Sequence, residues 1–238
     1  VTGTIINVIT ILVGSLVGVL VGGRLSTRLR ETIVSGLGLF TFGYGLMSFL
    51  ETQNALVPLG GLLIGAMLGE WWRVEEGLAK LGIRLRNIVL KGNNENPAHK
   101  NFVEGFVTAS LVFVIGPIAI LGSIQDGLTG NYEMLTIKAM LDGFASIAFA
   151  STLGVGVAFS ALSILIYQGG ISLLSNFFSN FFSTGMITEM TAVGGLILMA
   201  IALSSLLEIK KIRTGSFLPA LVITPLIVYF IERFFGGL

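Results

Sequence analysis

Residues 2–23 read Thr-Gly-Thr-Ile-Ile-Asn-Val-Ile-Thr-Ile-Leu-Val-Gly-Ser-Leu-Val-Gly-Val-Leu-Val-Gly-Gly, and Arg24, Arg28 and Arg30 follow. No charge interrupts this run, and it matches the roughly 20 apolar residues that carry a helix across a bilayer. It is too long for the apolar part of a signal peptide, and its basic residues lie after it rather than before it. The expected element is a first membrane helix with its N-terminus outside. The whole chain follows suit. Of 238 residues, 53% are hydrophobic and 11% charged, with a mean hydropathy of +0.91. A soluble domain carries about 25% charged residues and needs them to cover its surface.

Further apolar runs cover residues 32–50, 52–69, 105–125, 190–207 and 214–231, and the 46 residues from Gly143 to Thr188 carry no charge. Pro117 predicts a kink in the run 105–125. The pair Trp71-Trp72 suits the aromatic belt at a membrane surface. Two stretches read as interfacial. Between Arg73 and Lys91, Val74, Leu78, Leu81, Leu85 and Ile88 form one helical stripe opposite Arg73, Glu75, Glu76, Lys80, Arg84, Arg86 and Lys91. Packing of this helix on a partner is the other reading. Between Ser172 and Ser183, the pairs Leu173/Leu174, Phe177/Phe178 and Phe181/Phe182 alternate with Ser and Asn. The segment Asn93-Asn94-Glu95-Asn96-Pro97 reads as a loop, with His99 in the same polar connector.

Basic loops face the cytoplasm. Arg24, Arg28 and Arg30, then the six bases from Arg73 to Lys100, then Lys210, Lys211 and Arg213 mark three inner loops; Glu51 and the stretch 126–133 mark outer ones. This pattern fits an all-α polytopic membrane protein of seven to eight transmembrane helices. Eight, with both termini outside, needs two crossings within residues 134–188. A single transmembrane domain over residues 1–238 is expected. The opening Glu31-Thr-Ile-Val-Ser-Gly36 is echoed by Glu189-Met-Thr-Ala-Val-Gly194, and each helix pair resumes at a proline, Pro58 or Pro219. These echoes outline two repeat units, 1–72 and 154–234, joined by an amphipathic connector, 73–100. On the eight-crossing topology the units are inverted, as in many transporters. Chance likeness between glycine-rich helices is the alternative.

Gly14, Gly18 and Gly22 recur every four residues, as do Gly61, Gly65 and Gly69. Such stripes let helix backbones touch. Asp142, Ser146, Ala150, Gly154 and Ala158 share one face if their helix is continuous, with Gly154 another packing position and Lys138 one turn before Asp142. An ionisable residue at that depth marks a functional site by default; an ion pair that only fixes packing is the plainer account. Asn7 is expected near the same depth on the first helix. Asn7, Thr10, Lys138, Asp142 and Ser146 thus form the candidate pocket for a substrate or ion.

The stretches Thr2-Gly-Thr-Ile-Ile-Asn7, Arg30-Glu-Thr-Ile-Val-Ser-Gly-Leu-Gly-Leu-Phe40 and Asp142-Gly-Phe-Ala-Ser-Ile-Ala-Phe-Ala150 resemble the bacterial inner-membrane group of YqgA/YdfK-type proteins, a domain of unknown function. The likeness extends over essentially the whole chain. It implies a location in the bacterial cytoplasmic (inner) membrane and a transport label, without a substrate. Residues 142–150 also look like the Asp-containing first helix of small manganese exporters, whose further acidic pattern is not evident here.

The leading functional expectation is a transporter or channel for a small solute or ion, coupled through a buried carboxylate. The alternative is a non-transporting scaffold or subunit that binds a partner protein or a second copy of itself. An enzyme is not expected. There is no Cys and only one His, so thiolate chemistry and two-His zinc motifs are excluded. No Walker motif is present, and no cofactor is expected. A metal ligand set is not readable. The net charge of +1 gives no reason to expect nucleic acid; the expected partner is the lipid bilayer.

Overall fold

The structure, a computed structural model, describes residues 1–22, 26–89, 97–115, 117–177 and 182–235. Among these residues the chain is helical, with no strand. In order, the helices are α1 (Thr2–Gly22), α2 (Thr27–Leu50), α3 (Leu56–Trp71), α4 (Val74–Val89), α5 (Pro97–Val114), α6 (Pro117–Thr129), α7 (Glu133–Leu153), α8 (Ser160–Leu173), α9 (Thr184–Ile201) and α10 (Ala220–Phe235). A 3₁₀ stretch, Gly154–Phe159, joins α7 to α8; a π-helical stretch, Ala202–Leu206, ends α9; and a 3₁₀ turn, Thr214–Phe217, precedes α10.

These helices are inside out compared with those of a soluble protein. The buried face of α1 is Gly3, Thr4, Asn7, Ile11, Gly14, Ser15, Gly18 and Gly22, while Leu16 and Leu20 are 61% and 65% exposed. In α7, Lys138, Asp142 and Ser146 are buried, while Phe144 is 74% exposed. Water would reverse this order. A hydrocarbon solvent produces it, because only polar and small residues gain by leaving lipid.

The chain forms two compact units. The first comprises Val1–Leu37, Ala79–Val114 and Ile118–Ser179; the second comprises Gly38–Leu78, Ile115–Pro117 and Asn180–Leu238. In the first, α1 and α7 run parallel. A Cβ at Gly3 would strike Leu135, at Gly14 the carbonyl of Gly143, at Gly18 that of Ile147 and at Gly22 that of Ser151. The rising order on both helices fixes the direction. Helix α8 runs the other way along α1: a Cβ at Gly169 would touch Thr4, and Val8 and Leu12 line one cleft with Ala161, Leu162 and Leu165. Helix α5 opposes α7, with Gly105 against Leu153. In the second unit, α3 and α10 are antiparallel through Gly61 at Thr224, Gly65 at Ala220 and Gly69 at Ser216. The C-terminal half of α2 opposes α9 through Gly45 and Gly195.

Among the described residues, five helical stretches are long and apolar enough to cross a membrane: Thr2–Gly22, Glu31–Leu50, Glu133–Leu173, Thr184–Leu206 and Thr214–Phe234. A bent pair, Asn101–Val114 with Ile118–Thr129, makes a sixth if it is one span. The structure thus supports five to six apolar spans, against the seven to eight read from the sequence. Part of the difference is that Glu133–Leu173 counts once although its 41 residues would reach about 60 Å as one straight helix, twice a bilayer core. Leu56–Trp71 is apolar but shorter.

The kink expected at Pro117 is present: the arms Asn101–Val114 and Ile118–Thr129 meet at 66°. Other local expectations are corrected. The four-residue face of α7 stops at Ala150, because α7 ends at Leu153. Gly154 follows with φ +79°, a conformation that favours glycine, and a Cβ there would meet nothing within 4 Å. It terminates a helix rather than packing one, and Ala158 leaves that face with it. His99 belongs to the first turn of α5, not to a loop. Arg24, the loop residues 93–96, Lys91, Phe178 and Phe181 lie outside the described residues; Ser172 to Phe177 are largely helical.

The α1–α7 contact makes a direct prediction. Gly14→Ala and Gly18→Ala each push a methyl into a carbonyl oxygen and should destabilise the detergent-solubilised protein by about 1–3 kcal/mol. Gly36 and Gly43 of α2 face open space, so alanine there should be neutral or stabilising by up to about 1 kcal/mol. Thermal unfolding of the four variants decides it; equal losses in both pairs would refute the seam.

Candidate functional site

Asp142 lies nine residues into α7, about 13 Å along its axis, and is buried. Its Oδ2 takes two donors. One is the ammonium of Lys138, one turn earlier on the same helix. The other is Asn7 Nδ2 of α1, at 2.9 Å. The same Asn7 amide donates to Gln168 Oε1 of α8, at 3.2 Å. A chain Lys138–Asp142–Asn7–Gln168 therefore links three helices, and all four side chains are buried. The pair is neutral as a unit, which permits two charges at this depth.

The ammonium has a second partner, the backbone carbonyl of Phe113, at 2.8 Å. In a continuous helix that carbonyl would accept from the N–H four residues on, at position 117. That residue is proline and has no N–H. Pro117 thus both ends α5 and frees a carbonyl, and Lys138 fills the vacated position. The bend and the buried cation are one feature. Tilted packing of the Phe113 ring on Phe149 of α7, with centroids 6.1 Å apart, holds the same contact.

Of the residues singled out from the sequence, Asn7, Lys138 and Asp142 are in direct contact. Thr10 and Ser146 stand beside them with their hydroxyls turned to their own helices: Thr10 Oγ1 donates to the carbonyl of Asn7 at 2.9 Å, and Ser146 Oγ to that of Asp142 at 2.7 Å. Gln168 and the Phe113 carbonyl were not anticipated. Gln168 is the sole amide side chain in the uncharged stretch 143–174, which is the signal that pointed to it. The Phe113 carbonyl follows from counting four residues back from Pro117.

Asp126, read from the sequence as an outer-loop residue, is buried at the end of α6, where it accepts the Gly3 N–H at 3.0 Å. A carboxylate there satisfies an orphan donor at the start of α1. In the second unit, Glu189 of α9 is fully buried. It accepts Thr52 Oγ1 at 2.6 Å and the N–H groups of Gln53 and Asn54 at 2.7 and 3.2 Å. Among the described residues no three His, Asp or Glu side chains gather as a metal site.

Comparison with known proteins gives the following. A family model described as "Protein of unknown function (DUF554)" matches residues 2–229. The chain is similar to the uncharacterized membrane protein YdfK of Bacillus subtilis (strain 168), with 32% identity over 236 residues, covering 98% of this chain and 97% of the relative. It is also similar to the uncharacterized protein YqgA of Escherichia coli (strain K12), with 29% identity over 223 residues and 94% of each chain covered. No solved structure matches.

The ion pair can be tested by a mutant cycle. Lys138→Met strands the carboxylate and the Phe113 carbonyl together and should cost about 3–5 kcal/mol. The double variant Lys138→Met/Asp142→Leu should recover a substantial part but not all of this, since the carbonyl still lacks its donor. Thermal unfolding in detergent reads both; additive losses would show that the two side chains do not interact.

Proposed function

The chain belongs to the DUF554 family of membrane proteins, and we propose that it is a transporter or channel of the bacterial cytoplasmic membrane that passes a small solute or ion through its first unit. The observation that carries this reading is the Lys138–Asp142 pair, held by two amides among helices whose outer faces are apolar. Intramembrane ion pairs are costly, and they recur where ions or substrates move. Asp142 is the coupling group, because it is the carboxylate of the cluster and joins Lys138 to Asn7.

The reading includes eight crossings. Helices α7 and α8 run along α1 in opposite senses, which favours two passes within residues 133–173. It also includes inverted repeats, units 1–72 and 154–234. Their paired members α1 and α8, α2 and α9, and α3 and α10 are each antiparallel where they touch, as an inverted repeat requires. The N-terminus is then outside, and α4, with residues 73–100, is an inner connector. The scaffold alternative loses its main support, because both glycine stripes pack against helices of their own unit and leave α4 as the surface for a partner. The reading involves no enzyme activity and no cofactor.

Two experiments test it. In proteoliposomes challenged with monovalent and divalent cations and small organic acids under an imposed proton gradient, wild-type protein should give a flux. Asp142→Asn should abolish that flux while elution and helical content hold, and Asp142→Glu should retain part of it. Wild-type flux in Asp142→Asn would remove Asp142 from the mechanism. The chain has no native Cys, so single cysteines report topology directly. Cysteine at Leu173 and at Phe234 should label from outside the cell, and cysteine at Ser26 from the cytoplasm. Inner labelling at position 173 would leave seven crossings and end the inverted-repeat reading.

A further inference from the structure

Five side chains of the first unit are buried and hold a polar atom that no described residue satisfies: Thr4 Oγ1, Asn7 Oδ1, Ser15 Oγ, Gln168 Nε2 and Ser172 Oγ. Interiors leave few such atoms, and each is costly in an apolar medium. Four of the five share one seam. Thr4 and Asn7 are three apart on α1, and Gln168 and Ser172 are four apart on α8, so each pair occupies one face. The faces meet through the Asn7–Gln168 hydrogen bond and at Thr4 and Gly169. The end of α6 reaches the same place: a Cβ at Gly127 would strike the Ser172 carbonyl, and the Oε1 of Gln125 is also unsatisfied.

The other side of Asp142 is built differently. From Gly14 to Gly22, α1 lies against the backbone of α7 with no room for a Cβ, and Ser15 alone is unsatisfied there. Asp142 itself is lopsided. Both of its donors converge on Oδ2.

We infer that Thr4, Asn7, Gln168 and Ser172 line a hydrated path between α1 and α8, along which water and small hydrophilic ions reach Asp142 from the end where α1 begins, and that the glycine seam closes the opposite end. The lining groups are uncharged and mix donors with acceptors, as a chain of water requires, and they place no fixed charge that would trap an ion. The use of the path rests on the transporter or channel reading; its existence does not.

The test uses single-cysteine variants of the full chain in membrane vesicles, treated with the membrane-impermeant methanethiosulfonate ethyltrimethylammonium from whichever side labels Thr2→Cys. The cysteine thiolate, which forms where water reaches the sulfur, attacks the reagent's sulfenyl sulfur, forming a mixed disulfide and releasing methanesulfinate. Thr4→Cys and Ser172→Cys should react at least roughly tenfold faster than Ser15→Cys and Ser146→Cys. Gln168→Cys supplies a further position on the same face should either variant fail to fold. Slow, equal rates at all positions, or faster reaction at positions 15 and 146, overturn the path. Flux is read separately on wild-type vesicles. Fast labelling without flux leaves the path standing and removes the transport reading, whereas flux without labelling removes the path alone.

Discussion

The first unit depends on the closeness of α1 to α7. Gly14, Gly18 and Gly22 present backbone, not side chains, to the carbonyls of Gly143, Ile147 and Ser151. In lipid there is no hydrophobic drive to bring two helices together, so close contact and polar pairing must supply the attraction. The glycines supply the first and permit the second. Only with the axes this near does the short Asn7 side chain reach Asp142 at 2.9 Å. The large apolar residues of both helices are left to face lipid, which is the arrangement the composition already implied.

A buried ion pair seldom stabilises a protein beyond what apolar residues of the same volume would give, so stability alone is a weak reason for Lys138 and Asp142. The pair is embedded in a geometric dependence that apolar residues could not reproduce. Pro117 takes the donor from the Phe113 carbonyl, Lys138 replaces it, and Asp142 neutralises Lys138. Changing any one of the three exposes a polar group of the next. The bend between α5 and α6, the charge on α7 and the amide on α1 are therefore joined through atoms in contact.

The membrane class, both glycine stripes and the meeting of Asn7 with Lys138 and Asp142 were legible because each rests on a short period or a rare residue. A charge-free run needs no tertiary information, and a carboxylate in such a run is conspicuous. What was not legible depends on where a helix stops. The face continuing to Gly154 and Ala158 assumed an unbroken helix, and the positive φ of Gly154 ends it; a glycine every four residues looks the same whether it packs or terminates. In the run 105–125 Pro117 marked the place of the bend but not its 66°, because a proline breaks the hydrogen-bond ladder while packing sets the angle. Gln168 was passed over because an uncharged amide does not interrupt a charge-free run, although unpaired in lipid it too needs partners.

Most of the carboxylates with described partners hold the start of a helix, as Asp126 holds the Gly3 N–H in the first unit, and Asp142 differs from them. In the second unit Glu189 receives one hydroxyl and two backbone N–H groups just before α3. Glu75 receives the Gly215 N–H, and Glu70 the Ser216 hydroxyl, just before α10. Each fastens the loop that opens a helix, and the groups they hold are backbone or near it, so their geometry leaves little to rearrange. In the first unit Asp142 sits mid-helix and is bound by two side chains, Lys138 and Asn7, with unsatisfied amide atoms on Asn7 and, beyond it, on Gln168. A carboxylate fixed by backbone donors serves as a fastener. One held by a lysine and a rotatable amide can exchange partners, because the Asn7 amide presents both a donor and an acceptor. Among the described buried carboxylates Asp142 is the one held by side chains alone, and the coupling role proposed for it rests on that difference.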